Sequence, residues 1–288
     1  MPNPTESVKL RLKVVGSGGL NPNFPNRPYP AYKAAWERYL FAAFACGLFQ
    51  GPHGKDLRAR LVAPSDDNFR SALSECLAAW YLSGRLHLPL RPRPAGQGQR
   101  VLEFIIEHVG GNINVEVKAP NRAIRANAEF FCGGDEDLLE SALDHANRQF
   151  PGDTRNLLVI VPSLRLPVLE TREEIEKVFI GEHYIQILID PLTDGPAGEE
   201  RIIYRDDVGK FTKPWPSKKS AFGPRFTRVG AALFLDDDYV EHGTVSPKAL
   251  IVHNPNALKS LPRDLWGSVP EFFLDKNRWR WSDIPLAG

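Results

Sequence analysis

Glu116-Val117-Lys118 ends a short apolar strand, and Glu103 lies on the strand before it, across Gly110-Gly111. Carboxylates and a lysine gathered on one hairpin are what metal-dependent phosphodiester hydrolysis needs. Oxygen ligands at this density select a hard cation, Mg²⁺ or Mn²⁺, which binds a phosphate oxygen and lowers the pKa of an attacking water. A lysine beside the cation supplies compact positive charge for the pentavalent phosphate and helps orient or deprotonate the nucleophile.

Two β-rich runs position these groups. Residues 100–109 (RVLEFIIEHV) and 112–119 (NINVEVKA) flank the glycine pair, which predicts a tight antiparallel hairpin with positive φ at both glycines. A two-residue turn sets Glu103 opposite Lys118, Ile105 opposite Glu116 and Glu107 opposite Asn114. Starting the turn at Gly111 sets Glu107 opposite Glu116 instead. Parity is the same in both registers, so Glu103, Glu107, Glu116 and Lys118 share a face while Leu102, Phe104, Ile106, Ile113, Val115 and Val117 line the other. A competing reading is a half-exposed hairpin whose charges form cross-strand ion pairs, each worth less than about 1 kcal/mol.

The segment upstream favours a site. Pro64-Ser65-Asp66-Asp67 offers an N-cap, and 68–82 (NFRSALSECLAAWYL) predicts a helix stopped by Ser83-Gly84. Its apolar residues lie on nearly every side, and Glu75, flanked at helical spacing by Ala72 and Ala79, is its only acid past the first turn. A carboxylate there needs a cation, whether a metal or a base such as Arg70 or Arg85.

An acid on an apolar helix, an acid on a strand, a turn and then Glu-x-Lys resembles the PD-(D/E)XK nuclease superfamily, over about residues 65–162. The resemblance implies an α/β restriction-endonuclease-like core: helix, three-stranded antiparallel meander, helix (143–149) and buried strand (156–161). It also implies roles: Glu116 and Lys118 as the second half of the motif, Glu103 in place of the usual aspartate with Glu107 as its rival, and Glu75 as the helix glutamate. The Val117 carbonyl would be a further metal ligand. Leu102-Glu103 stands where the family has Pro-Asp, a departure that changes the cation's pose. Gln149, on the following helix with Asp144, His145 and Arg148, stands where some members place a group near the phosphate, although a solvated face explains it as well.

The chain has 288 residues, a net charge of +1 and three cysteines, Cys46, Cys76 and Cys132, at no metal-binding spacing. Affinity for nucleic acid must therefore come from local patches, and the thiols suit a reducing cytoplasm. No apolar run approaches a membrane span and no signal peptide is visible. Residues 1–60 read as an arm and an apolar helix (32–49), 61–190 as the core, and 191–288 as an extension with strands at 185–189, 201–204, 231–235 and 249–252. Within it Lys210, Lys213, Lys218, Lys219, Arg225 and Arg228 alternate with Phe211, Trp215, Phe222 and Phe226, a composition suited to phosphate and base contacts or to a loop with buried rings. His253-Asn254-Pro255-Asn256 predicts a structural turn. The tail from Pro270, with Phe272, Phe273, Trp279 and Trp281, should dock on the body or on a second subunit.

The expectation is a Mg²⁺-dependent or Mn²⁺-dependent nuclease acting on nucleic acid, most simply DNA, with a homodimer suiting double-strand cleavage. The alternative is a catalytically inactive module of the same fold that binds nucleic acid or a protein.

Overall fold

Residues 156–160 are buried at every position, because the strand that carries them is covered on both sides. The computed structural model describes residues 29–63, 65–92, 102–120, 135–161, 172–181, 183–186, 201–204, 209–211, 214–215, 223–236, 240–241, 244–245, 247–276 and 278–282, with Lys9 and Lys13. Three helices come first: α1 (Tyr29–Ala45), α2 (Gly51–Leu61) and α3 (Asp66–Ala79), the last continuing into a π-helical turn, Trp80–Arg85. The strands β1 (Leu90–Pro92), β2 (Phe104–Ile106) and β3 (Ile113–Lys118) form an antiparallel meander. After α4 (Asp135–Gln149), β4 (Arg155–Ile160) runs parallel to β3, and α5 (Arg172–Phe179) follows.

The sheet then continues well past this unit. β9 (Ala231–Asp236) lies parallel to β4, β12 (Lys248–His253) antiparallel to β9, β13 (Glu271–Asp275) parallel to β12, and β14 (Arg278–Trp281) closes the edge. The eight-stranded mixed sheet has the order β1-β2-β3-β4-β9-β12-β13-β14. Strands from 61–190 and from 191–288 thus share one sheet. The tail from Pro270 supplies its last two strands, burying Phe272, Phe273 and Trp281. β5 (His183–Gln186) and β6 (Arg201–Tyr204), β7 (Pro214–Trp215) and β8 (Gly223–Pro224), and β10 (Val240–Glu241) and β11 (Thr244–Val245) form three separate two-stranded ribbons.

Two apolar clusters sandwich the sheet. Phe104, Ile106, Ile113, Val115, Val117, Leu157, Val159 and Leu233 pack with Trp36 and Tyr39 of α1, Leu57 and Leu61 of α2, and Ala72, Cys76 and Ala79 of α3. On the other side Leu158, Ile160, Ala232, Phe234 and Val252 meet Leu139, Leu143 and Ala146 of α4 and Ile175 and Phe179 of α5. The small residues of α3 bring that helix against the sheet, as its sequence predicts.

Several boundaries differ from expectation. Ser65 is the N-cap of α3 but makes no side-chain capping bond, and the expected stop at Ser83-Gly84 falls inside the π turn, where Ser83 Oγ donates to the Ala79 carbonyl at 2.6 Å. α2 is a helix that no expectation covered, although Pro52 near its start and Leu57 and Leu61 one turn apart are its signals. Of the arm expected at 1–30, Tyr29 and Pro30 belong to α1 instead, and the rest lies outside the described residues apart from Lys9 and Lys13, as does Cys132, while Cys46 and Cys76 are free thiols.

The lower end of the sheet is locked by amides. Asn156 is buried, and its Nδ2 donates to the carbonyls of Pro151 (2.9 Å), Thr154 (3.0 Å) and Arg228 (2.8 Å), while its Oδ1 accepts from Asn114 Nδ2 at 3.1 Å. Asn254, in the turn after β12, donates to the carbonyls of Phe226 (3.1 Å) and Val229 (2.9 Å) and accepts from the Asn256 N–H at 2.9 Å. Replacing Asn156 by Ala takes a donor from three carbonyls and an acceptor from the Asn114 amide, which keeps Thr154 Oγ1 at 2.8 Å. Urea unfolding should show a loss of about 2–4 kcal/mol, from a central value of 1–3 for one orphaned buried group; a loss below about 1 kcal/mol would show that the amide is not holding β3, β4 and the 225–230 loop together.

Candidate active site

The turn between β2 and β3 decides which side chains meet. Expectation placed two residues in it, yet the strands end at Ile106 and Ile113. Gly111 N–H donates to the His108 carbonyl at 3.0 Å, closing a turn over His108–Gly111. Gly110 N–H is held by His108 Nδ1 at 3.1 Å and Gly110 O by Arg155 at 2.6 Å, so only Gly111, at φ 110°, has positive φ. The wider turn gives the register Phe104 with Val115, Ile105 with Asn114 and Ile106 with Ile113. Neither expected register occurs, and the alternation places only Glu116 and Lys118 on a shared face of β3. Glu103 lies before β2, and its N–H donates to the Val115 carbonyl at 3.2 Å, so Glu103 and Phe104 both stand against Val115 as in a β-bulge, and Leu102, expected beside Phe104, packs in the cluster on the α4 side.

Glu103, Glu116 and Lys118 are in contact. Lys118 Nζ donates to Glu116 Oε1, and the Val117 N–H donates to Glu103 Oε2 at 3.0 Å. Glu116 is buried, while Lys118 keeps a quarter of its side chain exposed, so the cluster opens toward solvent at the carboxyl end of β3. Burial is the main cause that pushes Glu103 well above the usual carboxylate range. The Glu116 charge, a hydrogen bond shared with the Glu116 carboxyl and the Glu75 charge act in the same direction, and Lys118 opposes them.

Glu75 reaches this site by its field but is held elsewhere. It belongs to the helical layer over the Val115 and Val117 face, whereas Glu116 and Lys118 alternate to the other side. Its Oε1 pairs with Arg60 at 2.8 Å, and its Oε2 lies 3.4 Å from His53 Nε2. Both partners lie on α2; the expected alternatives, Arg70 and Arg85, are not the ones found. The Glu75 carboxylate raises His53 against the lowering effect of burial. Glu107, the rival for the strand position, is half exposed and pairs with Arg91 at 2.9 Å across the β1–β2 edge, so the structure places Glu103 and not Glu107 beside Glu116.

The donor set fits a hard cation. Glu116 Oε2 and Glu75 Oε2 are buried and take no hydrogen bond from any described donor, the condition in which a carboxylate oxygen calls for a cation, a proton or a water. Among the described residues no three His, Cys, Asp or Glu side chains converge on one point at ligand range. The carboxylates that could take a cation directly are Glu103 and Glu116, with the Val117 carbonyl next to Glu116 in sequence. Two carboxylates with water completing an octahedron suit Mg²⁺, which keeps several of its waters.

Other expected contributors lie away from this point. Gln149 ends α4 just before β4 begins, at the pole of the sheet opposite Lys118 and Ile160, and its Oε1 is buried without a described donor. The basic and aromatic segment is partly structural: Lys210 pairs with Glu140 at 2.8 Å, Arg225 also with Glu140, and Arg228 donates to the Phe150 carbonyl at 3.2 Å. Lys210 first, then Arg225, hold Glu140 below the usual carboxylate range against a burial cost. Phe211 and Phe226 are core residues, and Lys213, Lys218, Lys219 and Phe222 lie outside the described residues. His253 is buried against Glu271 at 2.8 Å, and the turn it opens is the amide-bonded one described above.

No helix among the described residues is long and apolar enough to cross a membrane. Comparison with models of known families, with curated proteins and with solved structures finds no match to the chain.

The raised Glu103 carboxyl has a stability consequence whose sign is fixed. Below the unfolded value of 4.5 both states carry the proton and no penalty arises. Above it the unfolded chain ionises while the folded chain holds the proton, so stability falls as pH rises toward the folded pKa. Glu103→Gln keeps an acceptor for Val117 and removes the penalty. In metal-free buffer its melting temperature should exceed wild type at pH 7.5 and converge with it near pH 4; a variant less stable at both pH values would show that burial and the Glu116 charge do not hold Glu103 protonated.

Proposed function

We propose that the chain is a Mg²⁺-dependent or Mn²⁺-dependent nuclease of the restriction-endonuclease-like fold, hydrolysing phosphodiester bonds, most simply in DNA. The observation that carries this reading is the gathering of Glu103, Glu116 and Lys118 at the end of β3, where Lys118 holds Glu116, the Val117 amide holds Glu103, and one Glu116 oxygen is buried and undonated. The element order supports it: helix, antiparallel meander, helix and parallel strand, with Glu103 just before the second strand of the meander and Glu116 on the third.

Glu103 and Glu116 would hold the ion, helped by the Val117 carbonyl. When bound, the ion supplies a Lewis acid for a phosphate oxygen and a water of lowered pKa. Lys118, paired to Glu116 yet partly exposed, is the compact cation that a phosphate meets on approach, and its charge favours the developing pentavalent centre. The pairing with Glu116 fixes its ammonium beside the ion and not in bulk solvent. Glu75 contributes through its field and its place on α3.

One observation favours the second reading, a fold that binds nucleic acid or protein without cleaving. Lys118 neutralises Glu116, and Arg60 and His53 neutralise Glu75, so the cluster carries its own counter-charges. Cleavage separates the two. Purified chain with Mg²⁺ or Mn²⁺ should cut plasmid or single-stranded DNA and be silenced by chelator. Lys118→Ala should lower the rate at least about 100-fold, the cost of removing one transition-state donor, with a lower melting temperature from the loss of the Glu116 partner but a native circular dichroism spectrum at the assay temperature. Absence of cleavage of duplex and single-stranded DNA and RNA, with both ions, would contradict the enzymatic reading.

A further inference from the structure

Away from the carboxylates, a groove of about 710 Å³ lies between α1, the π-helical turn and β1. Phe41, Trp80, Leu88 and Leu90 give it an apolar and aromatic lining, and Arg38 and Ser83 add polar groups. Its volume suits a flat organic group. Phe41 is 69% exposed, so its ring adds little to the core. The half-buried Trp80 indole rests on Tyr39, with 5.3 Å between ring centres, and Gly84 keeps one flank of it clear, since a Cβ there would lie 3.3 Å from the indole Cδ1.

Arg38 is fixed at the groove by two contacts. Its Nη2 donates to the Val245 carbonyl at 3.1 Å, and its guanidinium carbon stands 5.6 Å from the Trp80 ring centre. Neither partner is a carboxylate, so its charge is not cancelled. Lys33 and Arg85, next in sequence to the lining residues Ala34 and Gly84, are exposed and pair with no carboxylate among the described residues. Glu37 is the one acid in the lining. Positive charge around open rings complements an anion that carries flat apolar groups, and single-stranded nucleic acid is such a chain, with phosphates for the cations and bases for the rings. An acidic peptide would match the charge and leave the rings unused. Pro89 and Pro92, which lack N–H donors, bracket the β1 edge and make it a poor template for an added peptide strand. The groove also borders β1, whose partner β2 begins directly after Glu103.

We propose that this groove is a subsite for a single-stranded segment of nucleic acid, with Phe41 and Trp80 stacking on bases and Lys33, Arg38 and Arg85 meeting phosphates. The choice of nucleic acid as occupant rests on the phosphodiester-hydrolysing reading of Glu103, Glu116 and Lys118.

The test is binding of a fluorescently labelled oligothymidylate to the full chain, read by anisotropy in chelator so that nothing is cut. Phe41→Ala should weaken binding at least about fivefold, the loss of one stacked base, with an unchanged melting temperature because the ring is exposed. Lys33→Gln combined with Arg85→Gln should lower the slope of log affinity against log salt by about 1.4, the share of two phosphate contacts on a single strand. Wild-type affinity and salt slope in these variants, or displacement of the oligonucleotide by polyglutamate as readily as by unlabelled strand, overturns the subsite and leaves the nuclease reading in place. No binding by wild type overturns the subsite whether or not the chain cleaves. Binding that follows the predicted pattern in a chain that cuts nothing with Mg²⁺ or Mn²⁺ supports the subsite and overturns the nuclease reading alone.

Discussion

Two glutamates whose charges act on one another at the end of a hairpin, one of them wholly buried, are the constraint on which this architecture turns. Like charges so placed cannot both ionise without a counter-charge, and burial raises the cost. Lys118 answers part of it through Glu116, the Val117 amide answers part through Glu103, and a retained proton answers the rest. Each of these devices lies on the same two strands, so the hairpin carries both the problem and most of its solution. A divalent cation would replace the proton and relieve the remaining repulsion, which is why the pair reads as a cation site.

The surrounding elements make sense as supports for that pair. β3 is flanked by β2 and β4 and roofed on one face by α3, so the backbone that carries Glu116, Val117 and Lys118 cannot shift independently. The amide lock of Asn114 and Asn156 pins β3 to β4 at the opposite pole. Glu75 gives α3 a second role: it faces α2, where Arg60 and His53 absorb its charge, and its field still reaches Glu103. The sheet's far half, β9 to β14, adds core and no described side chain to the site.

Much of this was legible in the residues. The shared face of Glu116 and Lys118 followed from strand parity; parity fails at Glu103, where the Glu103 N–H joins Phe104 against Val115 and Leu102 turns to the other cluster. The register itself did not follow, because the glycine pair suggests a two-residue turn and the His108 side chain and Arg155 instead close a longer one. Preference for Glu103 over Glu107 needed the Arg91 pair, a contact between strands that the sequence does not bring together. The partners of Glu75 were missed for a related reason: α2 has few apolar residues and a mid-helix glycine, so its helical character rests on Pro52 and the Leu57 and Leu61 pair alone. The basic and aromatic segment shows the limit of composition. Lys210 and Arg225 look like phosphate ligands in sequence, but Glu140, 70 residues from Lys210 along the chain, takes both.

The central claim is that the Glu103 and Glu116 carboxyls share one divalent ion at the end of β3. A crystal grown with Mn²⁺ and measured at a wavelength where manganese scatters anomalously tests it most directly. The account predicts one anomalous peak between the two carboxylates, next to the Val117 carbonyl and within a water's reach of Lys118. A protein saturated with Mn²⁺ that shows no peak there, or a peak only at other side chains, would contradict it.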